Sequence, residues 1–211
     1  MIIISHRGYW TKPEEKNTKQ SFINTIKIGL GSETDIRDSD SELVISHDIP
    51  VKNTLRFNSV LEIFKNSDLL LALNVKADGL QNLLKQSINK YNISKYFVFD
   101  MSVPDAKQYI SQGFNVFCRQ SEYEPHIPFY SEIKGIWLDA FEKVWYNADI
   151  VYEHLTLGKQ VCIVSAELHN RDYLTHWQFI KSWSFIQNNN IILCTDYPAE
   201  AKDFFENTKL K

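Results

Sequence analysis

Residues 2–37, IIISHRGYWTKPEEKNTKQSFINTIKIGLGSETDIR, contain one complete passage from strand to helix to strand. Ile2 to Ser5 is a short run of β-branched residues, Lys19 to Ile28 carries apolar side chains at helical spacing, and Glu33 to Arg37 returns to an extended pattern. That sequence of periods is the mark of a parallel βαβ unit. The alternation continues along the chain. Further strands are expected at Leu69 to Val75, Tyr96 to Phe99, Asn115 to Cys118, Gly135 to Leu138, Gln160 to Val164 and Ile191 to Cys194, with an additional strand at Leu43 to Ser46. The spacing predicts helices over Ser59 to Lys65, Leu80 to Tyr91, Val103 to Gln112, Asn147 to Leu157, Arg171 to Gln187 and Pro198 to Thr208. Strand followed by helix, repeated around the chain, predicts a closed (β/α)8 TIM barrel. An open doubly wound sheet is the structural rival, but it would carry a glycine-rich phosphate loop after its first strand, and none is present.

Composition narrows the function classes. The 211 residues, 44% hydrophobic, can bury the core of one barrel, so residues 1–211 are expected to form a single domain. A formal net charge of -3 provides no broad basic field, which argues against nucleic acid as a partner and makes any phosphate site local. Cys118, Cys162 and Cys194 are far apart and embedded in apolar runs, as expected of reduced, buried thiols in a cytoplasmic protein. The opening MIIISH has no basic leader and is too short to cross a bilayer, so membrane insertion is not expected. Gln120 to Lys134 is the longest irregular stretch and is expected to lie over the barrel mouth, its aromatics, Tyr123 among them, forming either a packing cluster or a substrate lid.

In TIM barrels the chemistry gathers where the strands end. The first strand here ends in His6-Arg7-Gly8, the second carries Glu33 and Asp35, the additional strand ends in His47-Asp48, and the next ends in Asn74 and Lys76. Later strand ends hold Asp100, Arg119, Asp139, Glu167 and Asp196. Glu33 and Asp35, two apart on a strand, point to one side, and two adjacent carboxylates repel unless a proton or a cation sits between them. Oxygen ligands favour Mg2+ or Ca2+, with Mn2+ a further candidate, and the Asn74 carbonyl is a candidate third ligand. Taken alone, an E-x-D pair is a weak signal and reads first as two exposed charges at a strand terminus. With a divalent cation, Arg7 and Lys76 set against two carboxylates, a surplus of two positive charges remains for a small-molecule phosphodiester. His6 and His47 are candidates for the proton donor and acceptor.

Taken together, His6-Arg7-Gly8, Asn17-Thr18 before a helix, Glu33-Thr34-Asp35, Leu43 to Asp48, Asn74-Val75-Lys76 and the closing Thr195-Asp196-Tyr197-Pro198 have a family order and spacing. The chain resembles the glycerophosphodiester phosphodiesterases, of the phospholipase-C-like phosphodiesterase TIM-barrel type, over nearly its whole length. The resemblance implies a divalent metal on Glu33 and Asp35, paired histidines at His6 and His47, and phosphate-contacting cations at Arg7 and Lys76. Two departures stand out. The family's third-strand motif is usually E-x-K, whereas Asn74 replaces the glutamate here, which implies a weaker metal site, a more highly charged substrate such as one with two phosphates, or compensation by Asp139 or Glu167. The inserted subdomain that usually follows the second histidine motif is reduced to Ile49 to Asp68. Sphingomyelinase D toxins resemble this reduced barrel, but they are secreted and disulfide-linked.

Further contacts to substrate are expected from Trp10, Tyr123, Asp139, Glu167, His169 and Arg171. The segment Glu167 to Arg171 reads equally as a helix start capped by Asn170. The expected activity is metal-dependent cleavage of a glycerol-like or other polyol phosphodiester. A lyase forming a cyclic phosphate is the alternative outcome of the same chemistry, and a catalytically dead barrel that binds a phosphorylated ligand is the alternative class.

Overall fold

A computed structural model describes residues 1–206. The last stretch expected in the final helix, 207–208, lies outside the described residues. Contacts divide the chain into two compact units, Ser5–Val116 on one hand and Met1–Ile4 with Phe117 onward on the other.

β1 (Ile2–His6) leads through a 310 turn at Pro13–Glu15 to α1 (Lys19–Lys27). In the first unit β2 (Gly31–Ser39) turns back on itself through β3 (Glu42–Ile45), the additional strand, which pairs antiparallel with Ile36 opposite Ile45. α2 (Phe57–Phe64), β4 (Leu71–Val75), α3 (Gln81–Lys90), β5 (Tyr96–Phe99) and α4 (Val103–Ser111) follow. β2 pairs parallel with β4 and β4 with β5. Phe22 of α1 meets Phe64 of α2 edge-on with ring centroids 6.4 Å apart, both rings buried under the sheet. Thr18 begins α1 as its N-cap, its hydroxyl accepting from the Ser21 amide.

The second unit carries β6 (Phe117–Gln120), β7 (Gly135–Leu138), α5 (Ala148–Thr156), β8 (Gln160–Val164), a 310 turn at Ala166–His169, α6 (Tyr173–Lys181), β9 (Ile191–Thr195) and α7 (Pro198–Glu206). β6, β7, β8 and β9 pair in that order, all parallel. The strand order is β5-β4-β2-β1-β9-β8-β7-β6, with β3 off the path on β2. Eight parallel strands with intervening helices make this a (β/α)8 TIM barrel. Trp177 of α6 is fully buried and packs on Tyr173, Phe204 and Phe205, which seats α6 and α7 on the sheet.

The boundaries of β6 and α6 differ from the sequence reading in an informative way. β6 begins two residues later and runs on through Arg119 and Gln120, which pair with Trp137 and Leu138, because a strand can carry polar residues at its end when a neighbour supplies the ladder. As expected, β6 passes to β7 without an α-helix, through the irregular stretch after Gln120. α6 is shorter than Arg171 to Gln187. Its N-cap is Asp172, whose carboxylate accepts from the Leu174 and Thr175 amides, whereas Asn170 sits at φ 56° and ends the preceding 310 turn. After Lys181 the chain turns so that Trp183 packs back on Phe179 and Tyr146. Cys118, Cys162 and Cys194 are buried free thiols. No helix among the described residues is long and apolar enough to cross a membrane.

Candidate active site

Residues 5–116 bring His6, Arg7, Glu33, Asp35, Asn74 and Lys76 together. The parallel register sets Asp35 opposite Asn74, so their side chains share a face of the sheet, and Glu33 and Lys76 lie on that face two residues away along each strand. Glu33 is 1% exposed and Asp35 0% exposed, so the pair is not a solvated strand terminus. Arg7 Nε lies 2.8 Å from Asp35 Oδ2, and Lys76 Nζ lies 3.7 Å from Asp35 Oδ1 and 3.0 Å from Asp100 Oδ2. His6 Nε2 is 3.9 Å from Glu33 Oε2.

Arg7 reaches this position through a left-handed backbone, φ 59°, stabilised by its amide donating to the Glu33 carbonyl at 3.1 Å and to Glu33 Oε2 at 3.2 Å. Asn17 is the residue whose role the sequence reading missed. Its Nδ2 donates to Asp35 Oδ2 at 2.9 Å, its Oδ1 accepts from the Thr34 hydroxyl at 2.9 Å, and its amide donates to the Arg7 carbonyl at 2.9 Å. It orients the acidic pair from a loop; its place just before the Thr18 cap was the only signal in the sequence. Asp100, named only as one strand end among several, proves to be the second carboxylate on Lys76.

Burial, then the Asp35 charge, push the Glu33 carboxyl up to about 8, with Arg7 and Lys76 pulling the other way. In metal-free protein a carboxyl raised in this way is protonated when folded and ionised when unfolded between pH 4.5 and about 8. Folding stability is therefore expected to fall as pH rises through that window. Urea titrations at pH 5 and pH 8 in chelator should show the lower midpoint at pH 8, and Glu33→Gln should flatten the difference.

The buried oxygens Asp35 Oδ1 and Asn74 Oδ1 have no hydrogen-bond donor among the described residues. Two hard carboxylates and an amide oxygen on one face match the oxygen chemistry of Mg2+ or Ca2+. No group of three or more His, Cys, Asp and Glu side chains among the described residues gathers around a cation position, so a bound ion would depend on the amide and on solvent ligands.

His47 follows β3 with its side chain half exposed and its Nδ1 2.9 Å from Asp48 Oδ1. It lines a cleft of about 690 Å³ together with Arg7, Asn17, Ile49 and Val51. Ile49 and Val51 are 82% and 76% exposed, giving the edge of that cleft an aliphatic character. Trp10 lies beside His6, but its indole N–H is spent on the His6 carbonyl at 3.1 Å and Lys16 Nζ sits 4.5 Å from its ring, so it buttresses the first motif.

The second unit holds its own polar cluster. Asp139 Oδ1 accepts from the Ala140 amide at 2.9 Å and lies 2.7 Å from His169 Nε2, and Arg119 Nε is 3.9 Å from Asp139 Oδ2. Phe141 packs at a tilt against His169 with centroids 4.8 Å apart and against Tyr123 at 5.7 Å. Tyr123 is 64% exposed and donates to Glu142, so the aromatics after Gln120 form a packing cluster with Phe141. Glu167 is engaged within the second unit. Its oxygens accept from the Ser165 hydroxyl, the Thr195 hydroxyl and the Asp196 amide, and Trp177 Nε1 in turn donates to Ser165 Oγ. Glu167 is thus a staple between the ends of β8 and β9, and Asp139 is likewise engaged by the Ala140 amide and His169. Arg171 lines a separate cleft with Tyr146 and His176.

Comparison with solved structures bears on the fold. A candidate glycerophosphodiester phosphodiesterase from Galdieria sulphuraria superposes with a TM-score of 0.77 at 14% identity, covering 98% of each chain. An Oleispira antarctica phosphodiesterase, solved in complex with the product sn-glycerol-3-phosphate, matches at TM-score 0.71 and 13% identity over 98% of this chain and 97% of its own. The glycerophosphodiester phosphodiesterase from Agrobacterium tumefaciens matches at 0.69 and 14% identity over 97% and 98%. The fold is that of the glycerophosphodiester phosphodiesterases. At these identities the likeness shows the barrel fold alone. No protein-family model and no curated protein sequence matches the chain.

Proposed function

We propose that the chain is a metal-assisted phosphodiesterase that hydrolyses a phosphodiester of glycerol or a similar polyol. The observation that carries this reading is the buried Asp35, held by Arg7, Lys76 and Asn17 with Glu33 and the free Asn74 oxygen on the same face. The phosphodiesterase barrel shared with the solved neighbours supports it, as does the glycerol phosphate bound by one of them.

The charges support a diester in particular. Asp100 on Lys76 adds a third carboxylate to the centre. With a divalent cation, Arg7 and Lys76 opposed by Glu33, Asp35 and Asp100, the surplus falls from two positive charges to one, which a single phosphodiester monoanion neutralises. Glu33, Asp35 and Asn74 would hold the cation, which when bound polarises phosphoryl oxygens as a Lewis acid. Arg7 binds the phosphate, and Lys76 sets the field on its non-bridging oxygens. His6 and His47 exchange protons with the attacking water and the departing alkoxide, His6 from beside Glu33 and His47 from the cleft wall. The aliphatic edge at Ile49 and Val51 meets the substituent on the phosphate.

The test is an assay with a chromogenic phosphodiester and a glycerophosphodiester in added Mg2+, Ca2+ or Mn2+, with products followed by phosphorus NMR. Turnover to a phosphomonoester should vanish in chelator and fall about 10²- to 10⁴-fold in His6→Ala. Tight binding of phosphorylated ligands without turnover under every metal would replace this reading with that of a binding protein, and a cyclic phosphate product would make the enzyme a lyase.

A further inference from the structure

The second unit contains a cleft of about 660 Å³, within the range of small-molecule sites, that shares no lining residue with the cleft at His47. Val144, Ala166 and Phe179 give it apolar walls, and Tyr146, His176 and Arg171 supply its polar groups. Tyr146 and His176 are both buried, 3% exposed each, with the phenol oxygen 2.7 Å from His176 Nε2.

The proton positions follow from elimination. The Tyr146 hydroxyl has no other partner among the described residues, so its O–H donates to His176 Nε2. Burial, and secondarily the Arg171 charge, push the His176 pKa down to about 4, so the ring is neutral near pH 7 and carries one proton. With Nε2 accepting, that proton is on Nδ1. His176 Nδ1 and Arg171 Nε are both buried and find no partner among the described residues. Both are therefore donors in want of an acceptor. Arg171 gives an Nη2 proton to the Ala140 carbonyl and makes no ion pair with a carboxylate among the described residues, the Asp139 carboxylate beside Ala140 being spent on the Ala140 amide and His169. The Asp172 carboxylate on the cleft rim is committed to capping α6 and would repel a second negative charge.

We propose that this cleft binds a small monocarboxylic acid with an aromatic or branched apolar body. The carboxylate accepts from His176 Nδ1 and Arg171 Nε, and the body lies between Val144, Ala166 and Phe179. One negative charge matches Arg171, two acceptor oxygens match two donors, and the apolar walls select against inorganic anions.

Phenylacetate is a suitable probe, with phenylacetamide and inorganic phosphate as comparators, in 1H–15N correlation spectra of the full chain. Phenylacetate should shift the backbone amides of Tyr146, Thr175 and His176 saturably at concentrations up to about ten millimolar. The neutral amide should bind at least about tenfold more weakly, and phosphate should not compete. His176→Phe and Arg171→Gln should each weaken phenylacetate about tenfold or more while the remaining spectrum stays folded. Absence of saturable shifts, equal binding of the amide, displacement by phosphate, or unchanged affinity in folded Arg171→Gln would each overturn the proposal. The acid-against-amide comparison needs no variant, so it decides the matter even where His176→Phe fails to fold.

Discussion

Asp35→Ala is expected to lose about 3–5 kcal/mol of folding stability, because it breaks a buried ion pair and leaves the cations behind. The carboxylate is fully buried and answers Arg7 at 2.8 Å, Lys76 at 3.7 Å and the Asn17 amide at 2.9 Å. Without it, Lys76 keeps only Asp100 among the pairs described above, and the Arg7 guanidinium faces a cavity. Urea unfolding followed by tryptophan fluorescence, in chelator so that no metal contributes, measures the change. Asp35→Asn keeps the shape and one acceptor for Asn17 while removing the charge, and should fall between wild type and Asp35→Ala. A loss below about 1 kcal/mol for Asp35→Ala, the range of an exposed pair, would mean that the carboxylate is hydrated and that the cluster is not the tightly held centre described.

Gly8→Ala is expected to cost about 2–5 kcal/mol, combining overpacking with a left-handed backbone. Gly8 has φ +84°, and a Cβ there would lie 2.3 Å from Ser21 Oγ, 2.6 Å from Ser21 Cβ and 2.9 Å from the Ser21 main-chain carbon. The last contact is backbone, so α1 itself would have to retreat. Ser21 also receives the Tyr9 amide at its carbonyl and sends its hydroxyl to the Thr18 carbonyl at 2.8 Å, so the displacement would reach the Arg7 turn. Gly29→Ala separates the two causes. It has φ +71° but nothing within 4 Å of its added carbon, so only the conformational cost of about 1 kcal/mol remains. Thermal unfolding of the two variants side by side tests the contrast, and equal losses would show that the close approach of α1 to Gly8 contributes nothing.

The strand at Glu33 to Arg37 and the helix after Thr18 were legible because their periods are local, and a cap or an alternation of burial is written in neighbouring residues. The same locality misled at α6. Asn170 has the chemistry of an N-cap, yet the free N–H groups of that helix are met by Asp172 two residues on, and only the left-handed turn at Asn170 makes the difference. Glu167 reads in the sequence only as a carboxylate at a strand end. Its real partners, Thr195 and the Asp196 amide, are 28 and 29 residues away in sequence and come to it only through the β8 and β9 pairing. His176 and Tyr146 lie 30 residues apart, and neither carries a motif.

By itself, the sequence determined that strands and helices alternate, that Glu33 and Asp35 share a face, and which residue types stand at each strand end. Tertiary structure alone decided that Asp100 joins Lys76, that Asn17 holds Asp35, and that burial raises the pKa of the Glu33 carboxyl. Periodicity is a property of consecutive residues, whereas the partner and the dielectric around a charge depend on which distant strands and loops come to lie beside it.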